Sequence, residues 1–195
     1  MAYPHLFLVL WGSWAICWWV MAYRVKATTR RESLASRLTY GLPLGLAAIL
    51  LAIPSLPLPV LGDRFLPLAT WPFRAGAALT VAGLLFTVWA RVHLGANWSA
   101  TVTIKESHEL ITGGPYALVR HPIYSGLLLA FAGSALACGE WRGAIAVAVA
   151  AGAFRYKLRI EERWMEAQFG EAYRNYRKRV AALVPCPISR SAPRE

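Results

Sequence analysis

Charge is scarce in this chain, and negative charge is scarcest. Charged residues make up 16% of the 195, where a soluble domain usually holds about 25%. Only 10 Asp and Glu stand against 21 Lys and Arg. Apolar residues reach 57% and run in long blocks, which excludes an ordinary soluble domain and points to an integral membrane protein. Cysteine is equally sparse. Cys17 and Cys138 sit inside apolar blocks, Cys186 lies near the C-terminus, and none forms a CxxC pair. Small packing residues are the expected role, which excludes a disulfide framework and a zinc site. The formal charge of +11 would suit nucleic acid, but the basic residues collect at the ends of apolar blocks, where the positive-inside rule puts them. No nucleic-acid partner and no metal are expected. The first apolar block lacks the basic flank of a signal peptide and is expected to be a retained span.

What is present reads as spans joined by short polar pieces. Pro4–Tyr23 carries no charge after His5 and is long enough to cross a hydrocarbon core of ~30 Å as a helix. Its Trp11, Trp14, Trp18 and Trp19 suit interface anchors or lipid-facing bulk. A basic loop, 24–37, follows, and then a second span, Leu38–Val60, whose helix is expected to end near Ile53 because Pro54, Pro57 and Pro59 crowd its far end. Pro72–Val92 is the third span. The TVTIKE run after it suits a short extended piece. Ile123–Ala137 and Gly143–Phe154, joined by the charged turn CGEWR, form a helical hairpin whose second arm continues as a polar helix through Gln168. Gly170 is the expected cap, and 170–180 makes a basic amphipathic helix suited to a membrane surface. The fold class is therefore all-α, with five transmembrane helices including a C-terminal hairpin. All of the 21 Lys and Arg except Arg64, Arg74 and Arg142 fall on one side of this arrangement. That places the N-terminus outside and the C-terminus in the cytosol, in an inner or plasma membrane.

Two constellations do not explain themselves as spans. The first is the polar hinge His108–Tyr124, HELITGGPYALVRHPIY. Gly113, Gly114 and Pro115 make a tight turn there. His121 precedes Pro122, which starts the fourth span, so the positive end of that helix lies near His121 and Tyr124 and suits a carboxylate. A capped helix start is the plainer reading. The second is Arg155, Arg159, Glu162 and Glu166, which share one helix face beginning at the membrane boundary. A solvated row of ion pairs is the plain reading, but charge at that depth usually has a partner or a task.

The runs GPYALVRHPIYSG and EERWMEAQFGEAYRNYRKRV, in that order across a short hairpin, resemble the isoprenylcysteine carboxyl methyltransferase family and, more loosely, the wider phospholipid methyltransferase group. The likeness covers about residues 91–187. RHPxY alone also occurs in membrane sterol reductases, which are much longer chains. The resemblance implies a single membrane methyltransferase domain, with three spans in 1–92, a catalytic region in 93–187 and a short tail. It implies S-adenosyl-L-methionine enclosed on the cytosolic side by His108, Glu109, Leu110, Ile111, Tyr116, His121, Pro122, Ile123, Tyr124 and Glu162. A family arginine one turn before that glutamate orients the acceptor. Leu158 stands four residues before Glu162, so the role passes to the adjacent Arg159, with Arg155 in reserve.

The expected reaction is O-methylation of the carboxylate of a lipophilic, isoprenylcysteine-like substrate entering from the bilayer between spans, with membrane lipids around it. A carboxylate is already nucleophilic, so the protein chiefly positions and desolvates. The alternatives are N-methylation of a phospholipid amine, which requires a base, a nicotinamide-dependent reductase, and a non-catalytic membrane scaffold.

Overall fold

The computed structural model describes residues 3–22, 28–53, 60–95, 98, 103–105 and 109–185. Its elements in order are α1 (Tyr3–Met21), β1 (Thr28–Arg31), α2 (Leu34–Ala52), α3 (Thr70–Leu94), β2 (Thr103–Lys105), α4 (Pro115–Leu118), α5 (Pro122–Cys138), α6 (Trp141–Phe169) and α7 (Glu171–Arg179). The architecture is helical. To it the structure adds a two-stranded antiparallel ribbon, β1 with β2, pairing Thr28 with Lys105 and Arg31 with Thr103. The extended piece expected in TVTIKE is β2, which ties the α1–α2 connection to the segment after α3.

Helix ends follow local chemistry. Ser33 caps α2, its hydroxyl accepting from the Ser36 amide at 3.2 Å. The helix then ends at Ala52, as expected, while Pro54, Pro57 and Pro59 lie outside the described residues. Pro122 opens α5, and Gly139, in the left-handed region at φ 66°, closes it. Helix α6 begins after Glu140, whose side chain makes no capping bond, runs unbroken from the apolar stretch Gly143–Phe154 into the polar one and stops at Gly170.

Helices α3 and α5 form the tightest pair. A β-carbon on Gly83 would come within 2.6 Å of the Ala130 amide, and one on Gly126 within 2.6 Å of Thr87 Cγ2, so only glycine lets these backbones approach so closely. On this pair α1 packs against α3, and α2 packs against α6. The core beneath joins Ala47, Leu50, Phe131, Ala150 and Phe154. At the end away from the hinge, buried Arg142 donates to the carbonyls of Leu50 at 2.9 Å and Ile53 at 2.7 Å, and pairs with Glu140 at 2.5 Å, so it joins the end of α2 to the start of α6.

Among the described residues two helices, α2 and α3, are long and apolar enough to cross a membrane, and α1 and α5 are shorter apolar helices. The outward faces are apolar as well. Leu38, Leu42, Leu46, Ile49 and Ile53 stand exposed along one side of α2, at the spacing of a single helix face. An apolar surface of that extent suits hydrocarbon rather than water.

Candidate active site

The hinge is held together from both sides. Gly114, at φ 56°, turns the chain into α4 against His93, whose ring a β-carbon there would strike, and His93 stacks on Tyr116. The C-terminal strap runs alongside. Arg120 and His121 donate their amides to the carbonyls of Ala181 at 2.8 Å and Ala182 at 3.0 Å, and Ser125 Oγ donates to Leu183 at 2.5 Å. Helix α7 turns inward the face expected to meet lipid. Its buried Tyr173 and Tyr176 look into the protein, and Tyr176 Oη donates to the Tyr116 carbonyl at 2.6 Å. Two tyrosines one turn apart are its buried residues, and the hinge takes them both.

Glu162 meets His121. The imidazole Nε2 lies 3.2 Å from its Oε1, and Arg120 donates to the same oxygen at 2.6 and 3.0 Å. Arg120 also donates to the Val180 carbonyl, which fastens the strap. The neighbouring carboxylate, Glu161, approaches His121 Nδ1 at 3.5 Å and accepts from the Tyr124 hydroxyl. Burial opposes charge on His121, but the bonds and charges of Glu161 and Glu162 outweigh it and raise its pKa above the ordinary imidazole value. Burial also opposes charge on Glu162, yet the bonds from His121 and Arg120 hold its carboxyl down at about 2. Glu161 is lowered against its own burial by the His121 hydrogen bond and the Lys157 charge.

These groups face a cavity of about 530 Å³. Glu109, Leu110, Ile111, Tyr116, His121, Pro122, Ile123 and Tyr124 all line it. His108 lies outside the described residues. Glu162 is not in the wall and acts on it through Arg120 and His121, which are. Helix α6 contributes Phe154, Lys157, Glu161, Trp164, Met165 and Gln168. This face is offset by a residue from the one carrying Arg155, Arg159 and Glu166. The structure therefore does not bring Arg155 or Arg159 to the cavity. Both are exposed on the flank of α6, and Glu166 pairs outward with Arg177 at 3.2 Å.

Lys157 is the cation that the charge pattern hid. It is buried, with its ammonium 4.8 Å from the Tyr40 ring and 5.4 Å from the Tyr124 ring, both within cation–π range. Its position between Phe154 and Leu158, on the apolar face, is the signal that could have found it. The aromatics of α1 also depart from expectation. Trp11, Trp14 and Trp18 line the cavity, while Trp19 is exposed. Trp14 Nε1 donates to Thr87 Oγ1 at 2.7 Å, and Trp18 meets Trp98 edge-on at 5.5 Å. A buried hydroxyl satisfies the indole inside the bundle, so the ring needs no interfacial water. The site thus has a polar end, rich in paired charge, and an aromatic wall supplied by the opposite half of the chain. Among the described residues no group of His, Cys, Asp and Glu could hold a metal ion.

The family model for phospholipid methyltransferase matches residues 71–172. The chain is similar to protein-S-isoprenylcysteine O-methyltransferase B of Arabidopsis thaliana, 30% identical over 118 residues, covering 59% of this chain and 60% of the relative. It is 31% identical over 119 residues to the protein-S-isoprenylcysteine O-methyltransferase of Rattus norvegicus, covering 60% of this chain and 42% of the relative. A shorter stretch of 75 residues is 43% identical to methanethiol S-methyltransferase 2 of Bradyrhizobium diazoefficiens, covering 36% of this chain and 26% of that protein. The chain thus spans less than two thirds of the length of the curated relatives it matches.

Proposed function

The chain belongs to the phospholipid methyltransferase family, and from that premise we propose that it is an integral membrane methyltransferase that uses S-adenosyl-L-methionine to methylate the carboxylate of a lipophilic, isoprenylcysteine-like acid. Five spans, with the N-terminus outside, put the polar end of the cavity in the cytosol, consistent with the distribution of Lys and Arg.

The donor set suits the cofactor. It is a zwitterion with an extra positive sulfonium, and the cavity offers the carboxylates of Glu109 and Glu161 for its ammonium and hydroxyls, His121 and Arg120 for its carboxylate, and apolar Leu110 and Ile111 for its base. When bound, S-adenosylmethionine supplies an electrophilic methyl group and needs no redox partner or metal. The chain's own work is to hold, orient and dehydrate. Glu162 fixes Arg120 and His121. Tyr173 and Tyr176 close the cytosolic side and exclude water.

The observation that carries the reading is buried Lys157, set in the wall between the polar end and the aromatic lining. A buried ammonium stabilises an anionic acceptor and opposes an amine that would gain positive charge. Lys157 thus takes the orienting role first given to Arg159 and Arg155. A second reading, S-methylation of a small thiol, draws on the 43% identity to the methanethiol enzyme, since Lys157 would favour a thiolate as well.

The test is methyl transfer by the full chain in membranes, from methyl-labelled S-adenosylmethionine, to an isoprenylcysteine, a small thiol and a phospholipid amine. Label in the isoprenylcysteine ester is the expected result. Label only in the thiol selects the second reading. Label only in the amine, or in nothing while cofactor binding is absent, overturns both.

A further inference from the structure

A second cavity of about 440 Å³ lies deeper along α5, and three residues, Trp11, Ala48 and Phe131, line both it and the first. Ala48 is small, so the partition is essentially two rings, Trp11 and Phe131, meeting edge-on at 5.3 Å between centroids. Trp11 is held there by one hydrogen bond, from its Nε1 to Ser134 Oγ at 3.1 Å. Beyond the partition the walls are Phe7 and Leu8 on one side and Leu51 and Ala52 on the other. The far end is closed by Arg142, whose charge is spent on Glu140 and whose Nη1 donates to the carbonyls of Leu50 and Ile53. The floor therefore presents no unpaired charge. The side walls belong to α1 and α2, which rest on different partners, α3 and α6, and share no extensive contact. From Tyr124 to Cys138 the two cavities follow α5 for roughly 20 Å at 1.5 Å per residue.

We infer that the second cavity receives the distal part of the acceptor's hydrocarbon tail, and that the Trp11–Phe131 partition, latched by Ser134, sets the tail length the enzyme favours. This rests on the acceptor being lipophilic, as proposed above. Its head lies by Lys157 and Tyr124, a short tail ends against Trp11, and a longer one parts the two rings and continues to Ala52. Continuity with the head-group cavity and a floor without free charge favour this occupant over a lipid headgroup. Burying about two further methylenes is already a tenfold effect, so the preference is measurable.

The experiment uses the full chain in lipid nanodiscs and two thioether acids, S-geranyl and S-geranylgeranyl, each with a diazirine at the tail's end. Photolabelled peptides are mapped by mass spectrometry, and kcat/KM is measured for the unlabelled pair. The geranylgeranyl probe should mark Phe7 or Leu51, and the geranyl probe Trp14, Trp18 or Leu127. Ala52→Trp, which fills only the second cavity, should expel the long probe and lower the long-to-short ratio of kcat/KM about tenfold. Leu46→Trp, on the outward face of α2, should change neither. Both probes marking the same residues, or the long one marking only Leu42 and Leu46, overturns the inference even if methyl transfer proceeds. Label in the second cavity without methyl transfer keeps it and sinks the proposed reaction instead. No label in either cavity ends both.

Discussion

The two ends of the cavity are built on opposite principles. At the polar end Arg120, His121, Glu161 and Glu162 hold one another through directed bonds of about 3 Å, with tyrosines filling the gaps. At the other end Trp11, Trp14, Trp18, Phe131 and Phe154 make a wall anchored, among the described residues, by two indole bonds to Ser134 and Thr87. Buried charge is intolerant, because removing one member strands the rest. Packed rings are tolerant, because neighbours can shift to fill a gap. On the proposed reaction the polar end would hold the cofactor, and the aromatic end would decide which acceptors fit.

The sharpest way to break this contrast is Glu162→Gln, which removes the carboxylate that Arg120 and His121 share. Cofactor affinity should fall ~100-fold or more, and stability by about 3 kcal/mol, read by calorimetry and thermal unfolding. Lys157→Met should lower kcat/KM ~100-fold through loss of an oriented charge, with cofactor affinity nearly intact, and Lys157→Arg should restore part of it. Tyr176→Phe removes the bond to the Tyr116 carbonyl and should cost about 1 kcal/mol in stability. Arg159→Ala, on the exposed flank, should change stability by under ~0.5 kcal/mol and leave activity alone. A large loss there, with Lys157→Met silent, would return the orienting role to Arg159.

Acidity separates the two ends as well. His121 binds its proton more tightly folded than unfolded, so its contribution is complete below the ordinary value of 6.5 and is lost as pH rises through the elevated one. Glu162 runs the other way. Its contribution is present above 4.5 and is lost as pH falls toward about 2. Cofactor affinity should thus hold between those limits and decline as pH rises through the elevated His121 value. His121→Asn should flatten the alkaline limb.

Much of this was legible beforehand. Block lengths marked the helices, prolines and glycines marked their ends, and the two motif runs marked the segments that meet. The hidden parts share a cause, which is that sequence spacing does not say which face of a helix turns inward. On α6 the charge ladder 155–159–162–166 stood out, but the buried face is the one a residue away, where Lys157 is surrounded by apolar side chains. On α1 a row of tryptophans looked like interface anchors or lipid-facing bulk, because nothing local reveals that Thr87 and Ser134 wait across the bundle to satisfy the indoles. The close approach of α3 and α5 rests on glycines 43 residues apart, Gly83 and Gly126, and no short window joins them.

The central claim is that residues 109–124 and 154–168 close around one S-adenosylmethionine. A double-mutant cycle tests it most directly, with His121→Asn and Glu162→Gln read in cofactor affinity on the full chain in nanodiscs. Closure predicts tight binding by the wild type and a coupling of at least ~1 kcal/mol between the two sites. Strictly additive losses, or no binding by the wild type, would contradict it.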